Sequence, residues 1–129
     1  MHSFDINTNL GIILCHGEIT ANKRSILLKM ALDTGATYTI IPYEAAQLAG
    51  LNPIRAKEQI EIVMGGGIVV APLIKIPVFR AFGFEVRNIE VICHRLPSES
   101  SVEGLLGLNF LTQFNLNLKF LKNTLEISR

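Results

Sequence analysis

The sequence predicts an all-β domain that closes into a barrel and carries one or two short helices. The chain holds many short apolar segments rich in Ile, Val, Leu and Phe, and glycine or asparagine turn signals separate them. With 129 residues, 49% of them hydrophobic, it is long enough to bury one core and too short for two. We therefore interpret residues 1–129 as a single barrel-like domain.

Segments with strand character follow one another along most of the chain. Ile60 and Ile62 face one way while Glu61 and Val63 face the other, which is the alternation of a half-buried strand. In chain order the predicted strands are 11–20, 25–33, 37–41, 58–64, 67–79, 84–96, 115–120 and 124–128. The predicted turns are Ala21-Asn22, Gly65-Gly66-Gly67, Phe82-Gly83 and Lys122-Asn123.

Two short helices are predicted between the strands. Residues 42–50 place Pro42 in a first turn, follow it with helix formers and end at Gly50. Residues 108–114 form the second helix, with Asn109 as its N-terminal cap. Many short strands and two small helices together indicate an all-β barrel.

Charge and hydropathy argue against several classes of function. The net charge is +1, and acidic and basic residues are spread along the chain without a basic stripe, which argues against nucleic acid as a partner. No apolar run reaches the roughly 18 residues of a membrane span. The first residues lack the basic and apolar regions of a secretion signal. We therefore expect a cytoplasmic protein, or a domain of a longer chain.

Two Cys-His dipeptides, Cys15-His16 and Cys93-His94, raise the question of a metal site. Neighbouring residues on a strand point to opposite faces, so one dipeptide cannot easily present both side chains to one ion. Two cysteines are also too few for a disulfide framework. We expect half-buried thiols, exposed imidazoles and no metal or other cofactor.

The stretch 30–41, MALDTGATYTII, places an acid, a threonine and a glycine inside an apolar run. An unpaired carboxylate is costly to bury in such a run. One interpretation is a polar turn at the end of a strand, in which Gly35 takes a positive φ angle. A three-residue word of this kind also occurs by chance in chains of this length, so Asp33-Thr34-Gly35 alone decides nothing.

A second motif gives Asp33 a context. About seventy residues further on, the segment VEGLLGLNFLTQFNLNLKF is apolar, punctuated by glycine and runs into a short helix. Together the two segments resemble the retropepsin-like aspartic proteases. Residues 33–37 match the family pattern Asp-Thr/Ser-Gly-Ala-Ser/Thr, Leu105-Leu106-Gly107 matches its Leu-Leu-Gly strand, and the chain end resembles its closing hairpin. The resemblance covers roughly residues 12–128 and implies the acid-protease barrel fold.

Such an enzyme needs two carboxylates that share one proton. At about 3 Å and an effective dielectric near 20, two negative charges repel by roughly 5 kcal/mol, so both cannot be ionised together. One carboxylate accepts a proton from water and the other protonates the substrate. The chain holds a single Asp-Thr-Gly, so the second carboxylate would be Asp33 of another chain. This implies a homodimeric endopeptidase that hydrolyses extended polypeptides without a cofactor.

The resemblance also implies roles for the residues that follow Asp33. Thr34 would hydrogen-bond the partner loop across the twofold axis, and the N–H of Gly35 would hold the carboxylates coplanar. Ala36 stands where pepsin-like enzymes carry a serine that hydrogen-bonds the carboxylate, so we expect an activity optimum in milder acid. Thr37 completes the supporting loop.

Two further sets of residues are assigned to substrate binding. Gly65, Gly66 and Gly67 lie between two predicted strands, which indicates a hairpin, and the resemblance implies that this hairpin is a mobile flap. The predicted pocket residues on the neighbouring strands are Ile40, Val69, Leu73 and Leu106.

Two alternatives remain open. In the first, the chain is a protease-like module that dimerises or binds peptides with little or no catalysis; this is open because a fold does not determine a function. Alternatively it would be a plain all-β structural domain with a coincidental turn. The intact Asp-Thr-Gly argues against the first alternative, and the pairing of two motifs argues against the second.

Overall fold

The computed structural model describes residues 1–129 and contains ten strands, two α-helices and two 3-10 turns. The strands are β1 His2–Asp5, β2 Leu14–Ala21, β3 Arg24–Leu32, β4 Thr39–Ile41, β5 Glu58–Met64, β6 Gly67–Ala81, β7 Phe84–Cys93, β8 Gly104–Leu106, β9 Asn115–Lys119 and β10 Thr124–Ser128. The helices are α1 Tyr43–Leu48 and α2 Leu108–Leu111, and the 3-10 turns are Pro53–Arg55 and Phe120–Lys122. Neither α-helix has the length and apolar character that a membrane crossing needs.

Six strands form a closed barrel. Their order is β2-β3-β8-β4-β7-β6, and pairing of β6 with β2 closes the ring. Strand β5 lies outside the ring and is hydrogen-bonded to β6. Every strand of the ring therefore has a neighbour on both sides, which leaves no open edge in the barrel. This closed all-β barrel with two short helices confirms the predicted fold class.

Tight turns connect two of the longest hairpins. Asn22 and Lys23 have φ angles of 52° and 62° and join β2 to β3. Phe82 and Gly83 have φ angles of 53° and 76° and join β6 to β7. Two consecutive positive φ angles match the twist of the strands that such turns connect. The turn at Phe82-Gly83 lies at its predicted position, whereas the other turn is shifted by one residue from the predicted Ala21-Asn22, because Ala21 still pairs in β2. Asparagine or glycine supplies the permissive backbone in each.

The barrel interior is the main hydrophobic core. In β2, Cys15 and Ile19 are buried while His16, between them in the alternating pattern, is exposed. Phe79 and Phe110 are fully buried and pack edge to face, with ring centroids 5.6 Å apart. Phe110 belongs to α2, so this contact fixes the short helix against the barrel.

A smaller apolar cluster lies between the barrel strands and the β5–β6 hairpin. Its buried members are Ile40, Ala71, Leu73 and Ile92. They come from β4, β6 and β7, and the half-buried residues Tyr38, Ile60, Ile62, Leu96 and Leu105 pack against them. The base of the hairpin is therefore attached to the same strand, β4, that follows the Asp33 segment.

The two chain ends form a separate three-stranded sheet in the order β1-β10-β9. The sequence analysis does not predict β1, because four residues are too few for a recognisable alternation. His2 anchors this strand: its Nδ1–H donates to the carbonyl of Phe82 at 2.8 Å, and its ring stacks on Phe84 with centroids 4.2 Å apart. Strands β1 and β9 are the two edges of this sheet.

Helix α2 does not use the predicted cap. Gly107 is the N-cap and Asn109 is the second helical residue, so the predicted capping role of Asn109 is wrong. The N–H groups of Leu108 and Asn109, which have no acceptor within the helix, donate to the carbonyls of Ala36 and Thr37 at 2.8 and 3.2 Å. A neighbouring loop therefore supplies the hydrogen-bond acceptors for the first N–H groups of the helix, and the Asn109 side chain makes other contacts.

Candidate active site

Asp33 lies directly after the buried end of β3. The parallel register of β3 and β8 pairs Met30 with Gly104 and Leu32 with Leu106. The N–H of Asp33 extends this pairing by donating to the carbonyl of Leu106 at 2.9 Å. Asp33 is half-buried. The apolar strand thus ends just before the carboxylate and leaves it half-buried, which lowers the cost of burying an unpaired charge.

The carboxylate is oriented by its own loop. Its Oδ1 accepts a hydrogen bond from the N–H of Gly35 at 2.8 Å, and the N–H of Ala36 donates to the Asp33 carbonyl at 3.3 Å. Gly35 does not have a positive φ angle, so the interpretation of residues 33–35 as a turn that needs a positive φ at Gly35 is wrong. A Cβ at this position would lie 3.2 Å from Oδ1, so the close approach of the carboxylate favours glycine.

The segment from β8 into α2 packs closely against the chain that follows Asp33. A Cβ on Gly107 would lie 2.6 Å from the carbonyl of Tyr38, and a Cβ on Gly104 would lie 2.3 Å from the carbonyl oxygen of Ile40. No side chain fits at these distances, so both positions require glycine. The hydrogen bonds from α2 to the loop depend on this close approach.

Asp33 opens into a cleft of about 540 Å³ between its loop and the β5–β6 hairpin. Gly35, Ala36 and Thr37 line the cleft beside the carboxylate. The remaining wall is mostly apolar and includes Tyr38, Ile40, Ile60, Ile62, Met64 and Leu105. Apolar walls can bind the side chains of a substrate and so orient it. A neighbouring acid or base group can then act on the substrate backbone.

Comparison with known proteins agrees with this geometry. The sequence profile of the family described as "gag-polyprotein putative aspartyl protease" matches residues 18–113, about three quarters of the chain. The chain belongs to this aspartyl protease family. Among solved structures, a retropepsin-like aspartic protease from Rickettsia conorii superposes with a TM-score of 0.71 at 22% sequence identity, covering 95% of this chain and 86% of that one. The barrel is therefore the retropepsin-like fold. No curated protein matches the chain.

The retropepsin-like barrel brings only some of the predicted pocket residues to the cleft. Ile40 lines the cleft beside Asp33. Leu73 is buried in the small cluster with Ile40, one layer behind the cleft surface. Val69 pairs with Ile62 across the hairpin and is half-buried, but it does not line the cleft.

Leu106 does not line the cleft, and its prediction as a pocket residue is wrong. It is fully buried in the main core, whereas Leu105 lines the cleft. Successive residues of a strand point to opposite faces, so only one of the two leucines can face the cleft. The pairing of Leu105 with Ile40 between β8 and β4 decides which one does. Two adjacent leucines carry no such information in the sequence.

A second groove of about 610 Å³ also reaches Asp33. Its lining includes Ile12, Ile13, Leu32 and Phe120. Phe120 follows β9 directly, so this groove connects the carboxylate to the sheet formed by the chain ends. Asp33 thus lines two cavities of the barrel.

The β5–β6 hairpin ends in the three predicted glycines. Met64 pairs with Gly67, which leaves Gly65 and Gly66 as a two-residue turn. All three glycines are exposed, and a Cβ on any of them would meet nothing within 4 Å. Only Gly67 has a positive φ angle, of 126°. The hairpin is confirmed, and its role as a flap stays a prediction.

Cys15 and Cys93 take no part in the candidate site. Both are buried in the barrel core, more deeply than the half-buried state that the sequence suggests. Burial raises the pKa of each thiol from 9.0 to about 12. Both therefore remain protonated at neutral pH, where a protonated thiol is neither a nucleophile nor a metal ligand. His16 is exposed as predicted, whereas His94 is half-buried.

Two residues that the sequence analysis did not assign to the site lie next to it. Thr39 is fully buried at the start of β4, and Asn109 projects from α2 toward it. The signal for Thr39 was a hydroxyl residue directly before the two isoleucines of the run Tyr38–Ile41. The Asn109 contact is long-range and has no local signature.

Proposed function

We propose that the protein is a homodimeric aspartic endopeptidase in which two Asp33 carboxylates, one from each chain, activate a single water molecule. The observation that carries the proposal is one oriented carboxylate that opens into a mostly apolar cleft, supplied by a chain that holds a single Asp-Thr-Gly. A dyad of this chemistry needs a second carboxylate within hydrogen-bond distance. A twofold axis beside Asp33 supplies it.

In the proposed reaction, the pair of carboxylates holds one proton. The ionised carboxylate takes a proton from the attacking water, and the protonated carboxylate donates its proton toward the peptide group. The Gly35 N–H donates to Asp33 Oδ1 in each chain, which keeps the two carboxylates in a defined orientation. Water is the nucleophile, so the reaction needs neither a metal nor a cofactor.

Several features support the pairing of two chains next to Asp33. Phe120 and Leu121 are large apolar residues that are 56% and 102% exposed, and Phe120 lines the second groove with Asp33. Strand β9, directly before them, has a free edge whose backbone groups can pair with another strand. Thr34 is exposed beside the carboxylate, where a partner loop can reach its hydroxyl. A second copy of the chain would cover this patch.

The proposed substrate is an extended polypeptide with apolar side chains. Ile40, Ile62 and Leu105 line the cleft with apolar side chains. We propose that the hairpin tip at Gly65–Gly67 closes over the bound peptide as a flap. Its lack of contacts supports this role, because a segment without buried contacts moves at low cost in free energy.

Digestion of a peptide library tests the proposal. The wild-type chain should cleave peptides at apolar positions, and Asp33→Asn should abolish cleavage while it leaves the mass of the dimer unchanged. Asp5→Asn is the matched control, because Asp5 is the other aspartate of the chain and lies exposed in β1. Cleavage by the purified Asp33→Asn protein near the wild-type rate would contradict the assignment. A dimer that binds peptides without cleaving them would favour the non-catalytic module.

A further inference from the structure

Thr39 is the one polar residue that is buried in the structure, with 0% of its surface exposed. It lies at the start of β4, directly after the loop that carries Asp33. A buried hydroxyl without hydrogen bonds would cost free energy, so the partners of this side chain are of structural importance.

Asn109 is the main partner of Thr39. Its Oδ1 accepts hydrogen bonds from both the N–H and the Oγ1–H of Thr39, each at 2.9 Å. The Thr39 Oγ1 in turn accepts from the N–H of Gly107 at 3.1 Å. At its other end, the Asn109 amide donates through Nδ2 to the carbonyl of Glu90 in β7. One side chain therefore connects α2, β4 and β7.

The contacts of the active-site loop converge on this connection. At its start, the N–H of Asp33 donates to Leu106, and at its end Thr39 bonds to Gly107 and Asn109. The loop's fixed points therefore come from one continuous segment, residues 106–109. The Thr39–Asn109 hydrogen bonds attach that segment to β4. They therefore fix the position of the loop's last residues relative to Asp33 at its start.

We propose that Thr39 and Asn109 are positioning residues, which hold the Asp33 carboxylate at the distance from its partner that catalysis requires. The proposal rests on the proposed function of Asp33. Neither side chain touches the cleft, so neither is assigned a chemical step. In the dimer a shift of one loop changes the separation of the two carboxylates, and a misplacement of about 1 Å can cost about a hundredfold in rate.

Two substitutions at Thr39 distinguish positioning from packing. Thr39→Val keeps the shape of the side chain and loses the hydroxyl, whereas Thr39→Ser keeps the hydroxyl and loses a buried methyl group. If packing dominates, the valine variant should be the better enzyme. If the hydrogen bonds position the loop, kcat should fall about 10- to 100-fold in Thr39→Val and by less than about threefold in Thr39→Ser. KM should change little in either variant, because the cleft walls remain intact.

Asn109→Ala tests the other end of the connection, and Asn22→Ala is its matched control. Asn22 also donates a side-chain amide to a backbone carbonyl, that of Ala49, at 3.0 Å and away from Asp33. Alanine at position 22 adds strain as well, because Asn22 has a φ angle of 52°. We expect kcat to fall about tenfold or more in Asn109→Ala and to stay near wild type in Asn22→Ala, even where the control is equally destabilised.

Two readouts make the test decisive. Kinetics are measured at a temperature where thermal unfolding shows each variant to be folded, and amide hydrogen exchange of residues 33–37 reports loop order without reference to activity. Faster exchange in Thr39→Val and Asn109→Ala, with wild-type exchange in Asn22→Ala, supports the proposal together with the kinetic ranking. Unchanged exchange, or a kcat for Thr39→Val at or above that of Thr39→Ser, overturns it.

Failure of the proposed function gives a different result. If the wild-type chain itself does not cleave peptides, the protease assignment fails, and the exchange data alone decide whether Thr39 and Asn109 hold the loop. If Thr39→Val does not fold, the comparison of Thr39→Ser and Asn109→Ala with Asn22→Ala decides the question. Equal kcat and equal exchange in those three variants would then contradict the positioning role.

Discussion

Two glycine-containing regions contribute to the site, and they use glycine for opposite reasons. At Gly104 and Gly107, a Cβ would lie only 2.3 and 2.6 Å from backbone atoms of β4 and of the residue before it. At Gly65 and Gly66, a Cβ would meet nothing within 4 Å. Glycine in the first region allows two backbones to touch, whereas glycine in the second leaves the hairpin tip without contacts.

This difference divides the site into a fixed part and a loosely held part. Residues 106–109 hold the Asp33 loop through backbone hydrogen bonds at its start and its middle. The hairpin tip has only its ladder pairing between Met64 and Gly67. Segments with few buried contacts open at low cost in free energy, so the hairpin can move while the carboxylate stays in place. The proposed function, in which a peptide enters the cleft and is then enclosed, needs both properties.

The largest effect on stability is expected at the fixed region. Gly107→Ala places a methyl group within 2.6 Å of the Tyr38 carbonyl, so the β8–α2 segment must move away from β4. We expect the free energy of unfolding to fall by about 2 kcal/mol or more, and cleavage to be lost with it. Chemical denaturation monitored by circular dichroism measures the change.

Gly65→Ala is the control for that substitution. It adds the same methyl group where nothing lies within 4 Å, at a φ angle that is not positive. The free energy of unfolding should stay within about 0.5 kcal/mol of wild type. Equal destabilisation by the two alanines would contradict the division into fixed and loose regions.

A substitution at the hairpin tip should lower the rate of cleavage and leave the thermal stability nearly unchanged. Gly66→Val adds a β-branched residue to a turn that has no core contacts, so the tip becomes stiffer or is displaced. We expect cleavage of a long peptide to slow by about three- to tenfold, with a Tm change of less than about 2 °C. Steady-state kinetics and thermal unfolding of the same sample check both numbers. Wild-type kinetics would mean that the glycines form only a turn.

Ala36 offers a smaller and more specific change within the fixed region. The residue lines the cleft beside Asp33, so a serine hydroxyl at this position can donate to the ionised carboxylate. The activity of the wild-type protein should have a bell-shaped dependence on pH with its maximum in mild acid. Ala36→Ser should move this profile to lower pH, because the ionised carboxylate gains a hydrogen bond. A pH–rate series measures the shift. A rate that rises steadily through neutral to alkaline pH would contradict a shared proton.

The effect that is smallest at neutral pH, where both thiols are protonated, concerns the barrel core. Burial raises the pKa of Cys15 and Cys93 from 9.0 to about 12, so the native chain keeps both protons where the unfolded chain has lost them. The free energy of unfolding should therefore fall as pH rises from 9 toward 12. Urea denaturation at several alkaline pH values should show a shallower fall in a Cys15→Ala, Cys93→Ala double variant. Parallel curves would contradict the role of thiol burial.

The sequence predicted much of this arrangement because it depends on local signals. Strand 58–64 is where its alternation indicated, and the turns at Asn22 and Gly83 have the positive φ angles that these residues favour. Asp33 was recognisable because a carboxylate inside an apolar run demands a reason. Its orientation by the N–H of Gly35 is a contact between residues two positions apart.

The features that the sequence analysis missed or misplaced depend on contacts between distant segments. Whether Leu105 or Leu106 faces the cleft is decided by pairing with β4, more than sixty residues away along the chain. Asparagine is a residue type that often caps a helix. Here the carbonyls of the Asp33 loop already accept hydrogen bonds from the first N–H groups of α2, and the Asn109 amide bonds to Thr39 and Glu90 instead. Local propensity cannot rank such alternatives, because tertiary contacts override it.

Subunit mixing tests the central claim most directly. An Asp33→Asn chain should inhibit a wild-type partner, because a mixed dimer holds one carboxylate and one amide and cannot share a proton. With wild-type chain at fixed concentration and an equal amount of exchanged mutant, random pairing traps about half of the wild-type chains, so activity should fall by about half. It should fall further with excess mutant, and dilution of the wild type alone should lower specific activity. Activity that is unaffected by the mutant and constant on dilution would show that each chain works alone, and would contradict a site built from two Asp33 residues.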